Sequence, residues 1–109
     1  MVRRSFTAVL ERNVAFRGPF ATEPYETAWA AEARWFVRVL RIAGSLTAVP
    51  QISPDGLEWC DEGSAGVRAD QPGLYSFALR DFGHWLRLRG EVAGENAEAT
   101  VIIYLALKE

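Results

Sequence analysis

Gly44 to Glu62 reads GSLTAVPQISPDGLEWCDE, and the turn at its centre decides the fold. Leu46 to Ile52 predicts a strand, Ser53-Pro54-Asp55-Gly56 a tight turn, and Leu57 to Cys60 a second strand returning antiparallel. Ser at the first turn position, Pro at the second and Gly at the fourth fit a type I turn. Proline presets φ near −65°, and the serine hydroxyl can hydrogen-bond the turning backbone. Pro50 has no N–H for a ladder, so it asks for an edge position or a bulge.

Outward from the hairpin the same grammar repeats. Trp35 to Ala43 (WFVRVLRIA) predicts a strand with Trp35, Val37 and Val39 on one face and Phe36, Leu40 and Ile42 on the other. Apolar groups on both faces imply a strand covered by partners. Simple alternation places Arg38 and Arg41 on opposite faces. Residues 5–17 alternate imperfectly: Phe6, Ala8, Leu10, Val14 and Phe16 share a parity, with a bulge or break at Glu11 to Asn13. Pro24 allows only a short edge strand over Tyr25 to Trp29, followed by an alanine-rich loop. Glu62 to Gln71 reads as loop with a short strand at Val67. Leu74 to Arg80, His84 to Val92 and Thr100 to Lys108 alternate well, divided by turns at Asp81–Gly83 and Gly94-Glu95-Asn96. The last of these strands, apolar on both faces, is expected at the centre of the sheet.

Eight short strands with frequent turn signals and no helical period predict an all-β fold, a single antiparallel β-sandwich or jelly roll. At 109 residues the chain makes one domain. Within it, residues 1–17 are expected as an N-terminal strand or arm and 18–109 as the sandwich.

Composition excludes several classes. A net charge of −2 gives no basic excess for nucleic acid. No apolar run reaches the roughly 18 residues of a membrane span. No apolar stretch of signal length follows Met1-Val2-Arg3-Arg4, so a soluble product made in a cytoplasm is expected. Cys60 is the only cysteine, which rules out a disulfide within the chain and four-cysteine zinc sites. His84, the only histidine, lacks partners for a triad and reads as a turn or surface residue. Cys60, beside Trp59, reads as a small buried hydrophobe. Asp55, Glu58, Asp61 and Glu62 read as solvated turn charges, since their spacing fits no calcium loop. No catalytic residue, metal site or cofactor is expected.

Binding is where the residues point. Trp35 and Trp59, among apolar neighbours, read as core. Trp85 shares its face with Arg87 and Arg89, so it is the candidate for an exposed contact, either a protein interface or a sugar platform. Arg38 and Arg41 join the candidates because at least one must reach solvent, a carboxylate or another subunit. Lys108 is the only lysine in the chain. Genome composition explains such a bias, and so does a use for planar guanidinium forks at an interface.

Two stretches, QISPDGLEWCDEG (Gln51 to Gly63) and GLYSFALRDFGHWLRLRGEV (Gly73 to Val92), together with the terminal VIIYLALKE, resemble small bacteriophage virion proteins of sandwich type. The shared features are the Ser-Pro-Asp-Gly hairpin with a following Trp, the Gly-Leu-Tyr strand and the Trp-Leu-Arg-Leu-Arg strand. The resemblance runs over Trp35 to Glu109 and carries no catalytic residues. It implies a non-enzymatic structural protein located in the virion: a capsid decoration protein or a minor head or tail component. Its partners would be copies of itself, a capsid protein or a tail protein. The Ser-x-Asp-Gly-x-x-Trp turn and the Arg-Leu-Arg strand are also similar to discoidin-like, galactose-binding jelly rolls, which implies a carbohydrate-binding module. This chain is short for that family and lacks its terminal pair of cysteines.

Overall fold

Two strands much longer than the sequence punctuation predicts form the spine of the molecule. The computed structural model describes Ser5 to Glu109. In chain order its strands are β1 (Ser5–Phe16), β2 (Gly18–Ala21), β3 (Tyr25–Glu26), β4 (Glu32–Ser53), β5 (Cys60–Asp61), β6 (Val67–Ala69), β7 (Gly73–Arg80) and β8 (Trp85–Lys108). All pair antiparallel, and all belong to one hydrogen-bonded sheet. The all-β antiparallel class is as the sequence predicts. The strands form a single sheet, with the 22-residue β4 and 24-residue β8 paired to each other nearly end to end.

A straight strand of 22 residues would span about 70 Å. The longest dimension of the molecule is 49 Å, so the pair must bend. It bends where Gly44 has a φ of +90° and β8 carries extra residues: Ala43 faces Glu98, but Ser45 faces Ala93. Gly94-Glu95-Asn96, expected as a hairpin turn, is the excess chain of this irregularity. Connectivity then shows how far the sheet folds over. Arg80 lies beside Glu32 at one end of β4, and Trp85 beside Ser53 at the other. The connection from Arg80 to Trp85 spans about 18 Å at most, so the two ends of β4 come together.

The first half of the folded-over sheet comprises β1, the last part of β8, the first part of β4 and β7. The second half comprises β2 with β3, the start of β8, the end of β4, and β6 with β5. One face of the continuous sheet becomes the interior. Trp35, Val37, Val39, Leu46, Leu86, Leu88, Val101, Ile103, Leu105 and Leu107 are all buried there in one cluster. Burial of this apolar surface is the main favourable term for a domain of this size.

Several local expectations are corrected by register. A bulge between Val39 and Arg41 resets the alternation. Arg38 faces Ile102 and Arg41 faces Thr100, two residues on one side of β8, so both arginines point to the same outer surface. The bulge also carries Ile42 towards the core, where it packs against the buried cluster. Pro50, expected at an edge or a bulge, sits at a local edge within the sheet, paired only with Leu88 of β8. It falls in the gap between β6, which pairs with Leu46–Ala48, and β5, which pairs with Gln51–Ile52. Its missing N–H leaves no ladder bond unmade there, and its carbonyl accepts from Glu62 N at 3.0 Å.

At the N-terminus, Ser5–Phe16 is an edge strand of this chain's own sheet, paired with β8 through a bulge at Glu11–Val14. Met1–Arg4, the start of the expected N-terminal strand or arm, lie outside the described residues. In that bulge burial, reinforced by Glu23, raises the Glu11 carboxyl above its ordinary value.

Candidate functional site

The hairpin at the end of β4 is built by side chains. Ser53 Oγ accepts from the backbone N–H of Asp55 (3.3 Å) and of Gly56 (2.8 Å), and donates to Asp55 Oδ1 at 3.1 Å. Asp55 Oδ1 in turn accepts from Leu57 N at 2.8 Å and Glu58 N at 3.1 Å. The turn predicted from Ser, Pro and Gly is held by the serine hydroxyl, as expected, and also by the Asp55 carboxylate. The returning strand is shorter and later than predicted, Cys60–Asp61.

These amide contacts lower the Asp55 carboxyl below its ordinary 3.8, led by the N–H groups of Leu57 and Glu58. A depressed carboxyl stabilises the loop at pH above its unfolded value, and the contribution disappears as pH falls through the folded value. The loop is expected to keep its shape down to pH 3.8 and to open below that. A Cβ on Gly56 would lie 3.2 Å from the Trp85 ring, so tryptophan fluorescence reports the opening. Asp55→Ala is expected to show the low-pH spectrum at neutral pH while the global melting midpoint stays nearly unchanged.

Next to the loop lies the aromatic–arginine surface predicted from Trp85, Arg87 and Arg89. Trp85 is half-buried beneath Gly56 rather than open. The Arg87 guanidinium stacks 4.3 Å from the centre of the Trp59 ring, and its Nε donates to Gln51 Oε1 at 2.8 Å. Gln51 Nε2 donates to Asp61 Oδ1 at 2.9 Å. Asp61 Oδ2 lies 3.4 Å from Arg89 Nη2, an exposed pair that contributes little stability. Trp59, expected in the core, is the half-buried platform for Arg87. Cys60, expected to be buried, is exposed. His84 is exposed, as its place in a turn suggests.

Arg38 and Arg41 lie elsewhere, on the outer surface of the first half. They are exposed, with no carboxylate partner among the described residues. Around them the register places Phe36 between Tyr104 and Ser76, and Arg38 between Ile102 and Leu74. Phe36, Ile102 and Tyr104 are half-buried, whereas Leu74 is 56% and Val9 41% exposed. The candidate residues thus divide between two outer surfaces on opposite sides of the folded sheet.

The first-half surface also holds a cavity of about 340 Å³ that sequence reasoning missed. Small Ala78 and Ala106 flank Arg34 in one register row, leaving a hollow walled by Phe36 and bordered by Glu32, Arg80 and Lys108. Arg80 pairs with Glu32 at 2.7 Å, and Arg34 donates to Ser76 Oγ at 3.1 Å. Among the described residues, no three His, Cys, Asp or Glu side chains gather as a metal-holding group.

Fold and surface together define a class: an all-β, single-sheet domain whose outer faces carry arginine and aromatic contacts. Comparison with protein-family models, curated proteins and solved structures finds no match.

Proposed function

We propose that this chain is a non-enzymatic structural protein acting through protein–protein interfaces, as the resemblance to virion decoration proteins implies, with the outer face of the first half as its contact surface. The observation that carries this reading is the combination on that face of exposed Leu74, Leu40 and Val9 with exposed Arg38 and Arg41, which have no carboxylate partner among the described residues. Apolar side chains among exposed guanidinium groups are the composition of an interface rather than of a solvated sheet. The carbohydrate-binding alternative finds less support, because Gly56 lies against the Trp85 ring and Trp59 is taken by Arg87.

The double variant Arg38→Glu, Arg41→Glu tests the reading by light scattering across a concentration series and by co-sedimentation with virion heads and tails. Wild type is expected to associate with itself or with a virion component, and the variant to lose that association at least tenfold, roughly 1.4 kcal/mol. Equal association of wild type and variant, or none in either, would count against it.

A further inference from the structure

The loop at the end of β4 and the cavity on the first half are complementary in charge and in apolar character. Leu57 is 82% exposed, the most exposed large apolar side chain among the described residues. It stands between exposed Asp55 and Glu58. The loop is already fixed, since Leu57 N and Glu58 N both bond to Asp55 Oδ1, so little ordering entropy remains to be lost on binding. The cavity offers an alanine floor from Ala78 and Ala106, an aromatic wall from Phe36, and Arg34, Arg80 and Lys108 at its border. With Glu32 as the single carboxylate in the lining, three cations against one anion leave a charge of +2. Lys108 has no ion-pair partner among the described residues.

Leu57 is left 82% exposed, so the cavity of its own molecule does not cover it. We propose that the cavity is filled by the Leu57 loop of a second copy of this chain, so that copies join head to tail. This rests on the interface reading above and names its occupant. Leu57 would lie on the alanine floor, with Asp55 and Glu58 against Arg34 and Lys108. Each copy keeps one free loop and one free cavity, the condition for a ring or an open filament. The ion pairs lie at the border of the contact, so association weakens as salt rises.

The test uses the full chain in two variants. Leu57→Ser removes the apolar tip, and Ala78→Trp fills the cavity; both positions are exposed, so folding is expected to survive. Lys108→Glu replaces Ala78→Trp if the latter melts early. By sedimentation at low ionic strength, wild type is expected to grow past dimer with concentration. Each variant alone is expected to associate about 10- to 100-fold more weakly, the scale of one buried leucine. An equimolar mixture of the two is expected to form dimers and nothing larger, because only one working contact remains. Wild type that stays monomeric, Leu57→Ser that assembles like wild type, or a mixture that stays monomeric would each overturn the proposal. Loss of association in Arg38→Glu, Arg41→Glu with none in Leu57→Ser would leave the interface reading standing and remove only this occupant.

Discussion

Gly44→Ala is expected to destabilise the fold by about 2–5 kcal/mol, the sum of left-handed backbone strain and a forced shift of packed neighbours. Gly44 has a φ of +90°, and a Cβ there would lie 2.4 Å from the Ala93 carbonyl oxygen and 2.8 Å from the Ala97 Cβ. A carbonyl in the bent β4–β8 pair cannot step aside without changing the bend that closes the two halves over the core. Gly18→Ala is the matched control: φ is +68° there, but nothing lies within 4 Å of the added carbon, so strain alone of about 1 kcal/mol remains. In thermal melts the Gly44 variant is expected to fall by about 10 °C or more and the Gly18 variant by about 5 °C. Melting points that coincide would show that the bend is not locked by this contact.

The same bend marks the limit of what the sequence discloses. Period-two alternation groups Trp35, Val37 and Val39, then Leu86, Leu88 and Val92, then Val101, Ile103, Leu105 and Leu107, each set on one face, and all of these are buried; which face of β4 and of the end of β8 turns inward was not readable, since both are apolar. It also located the irregularity at Glu11–Asn13 and the central position of β8. These are local properties, readable because one side of each strand meets apolar surface and the other does not. What alternation could not give is whether Gly44 and Gly94-Glu95-Asn96 end strands or bend them. Glycine and asparagine suit both roles, and the choice is made by pairing between β4 and β8, residues some 50 positions apart.

The candidate site was legible to the same degree. Trp85, Arg87 and Arg89 do share one face of β8, as their spacing implies. Their partners were not readable, because Arg87 meets Trp59 and Gln51 from separate parts of the chain. The Arg38–Arg41 surface was misread by one residue of register, since the bulge after Val39 leaves no mark in the sequence. The Ala78–Ala106 hollow appears only when β7, β4 and β8 are aligned. Alanines 28 residues apart do not announce that an arginine stands between them.

Trp35 carries the second large effect. Its side chain is fully buried, yet its indole N–H has no hydrogen-bond partner among the described residues. A buried donor left unpaired costs about 1–3 kcal/mol, so the ring stabilises by packing alone and against its own polar atom. Trp35→Ala is expected to lose about 3–5 kcal/mol, a large share of the 5–15 kcal/mol typical of a domain. Trp35→Phe also loses contact area, but it removes the unpaired N–H, and the two effects oppose each other. The expected net cost is about 2 kcal/mol or less, well below that of alanine. Urea unfolding of the three proteins measures both numbers. If phenylalanine costs as much as alanine, the indole N–H is satisfied in solution, by an internal water, and the core at Trp35 is polar at its centre rather than purely apolar.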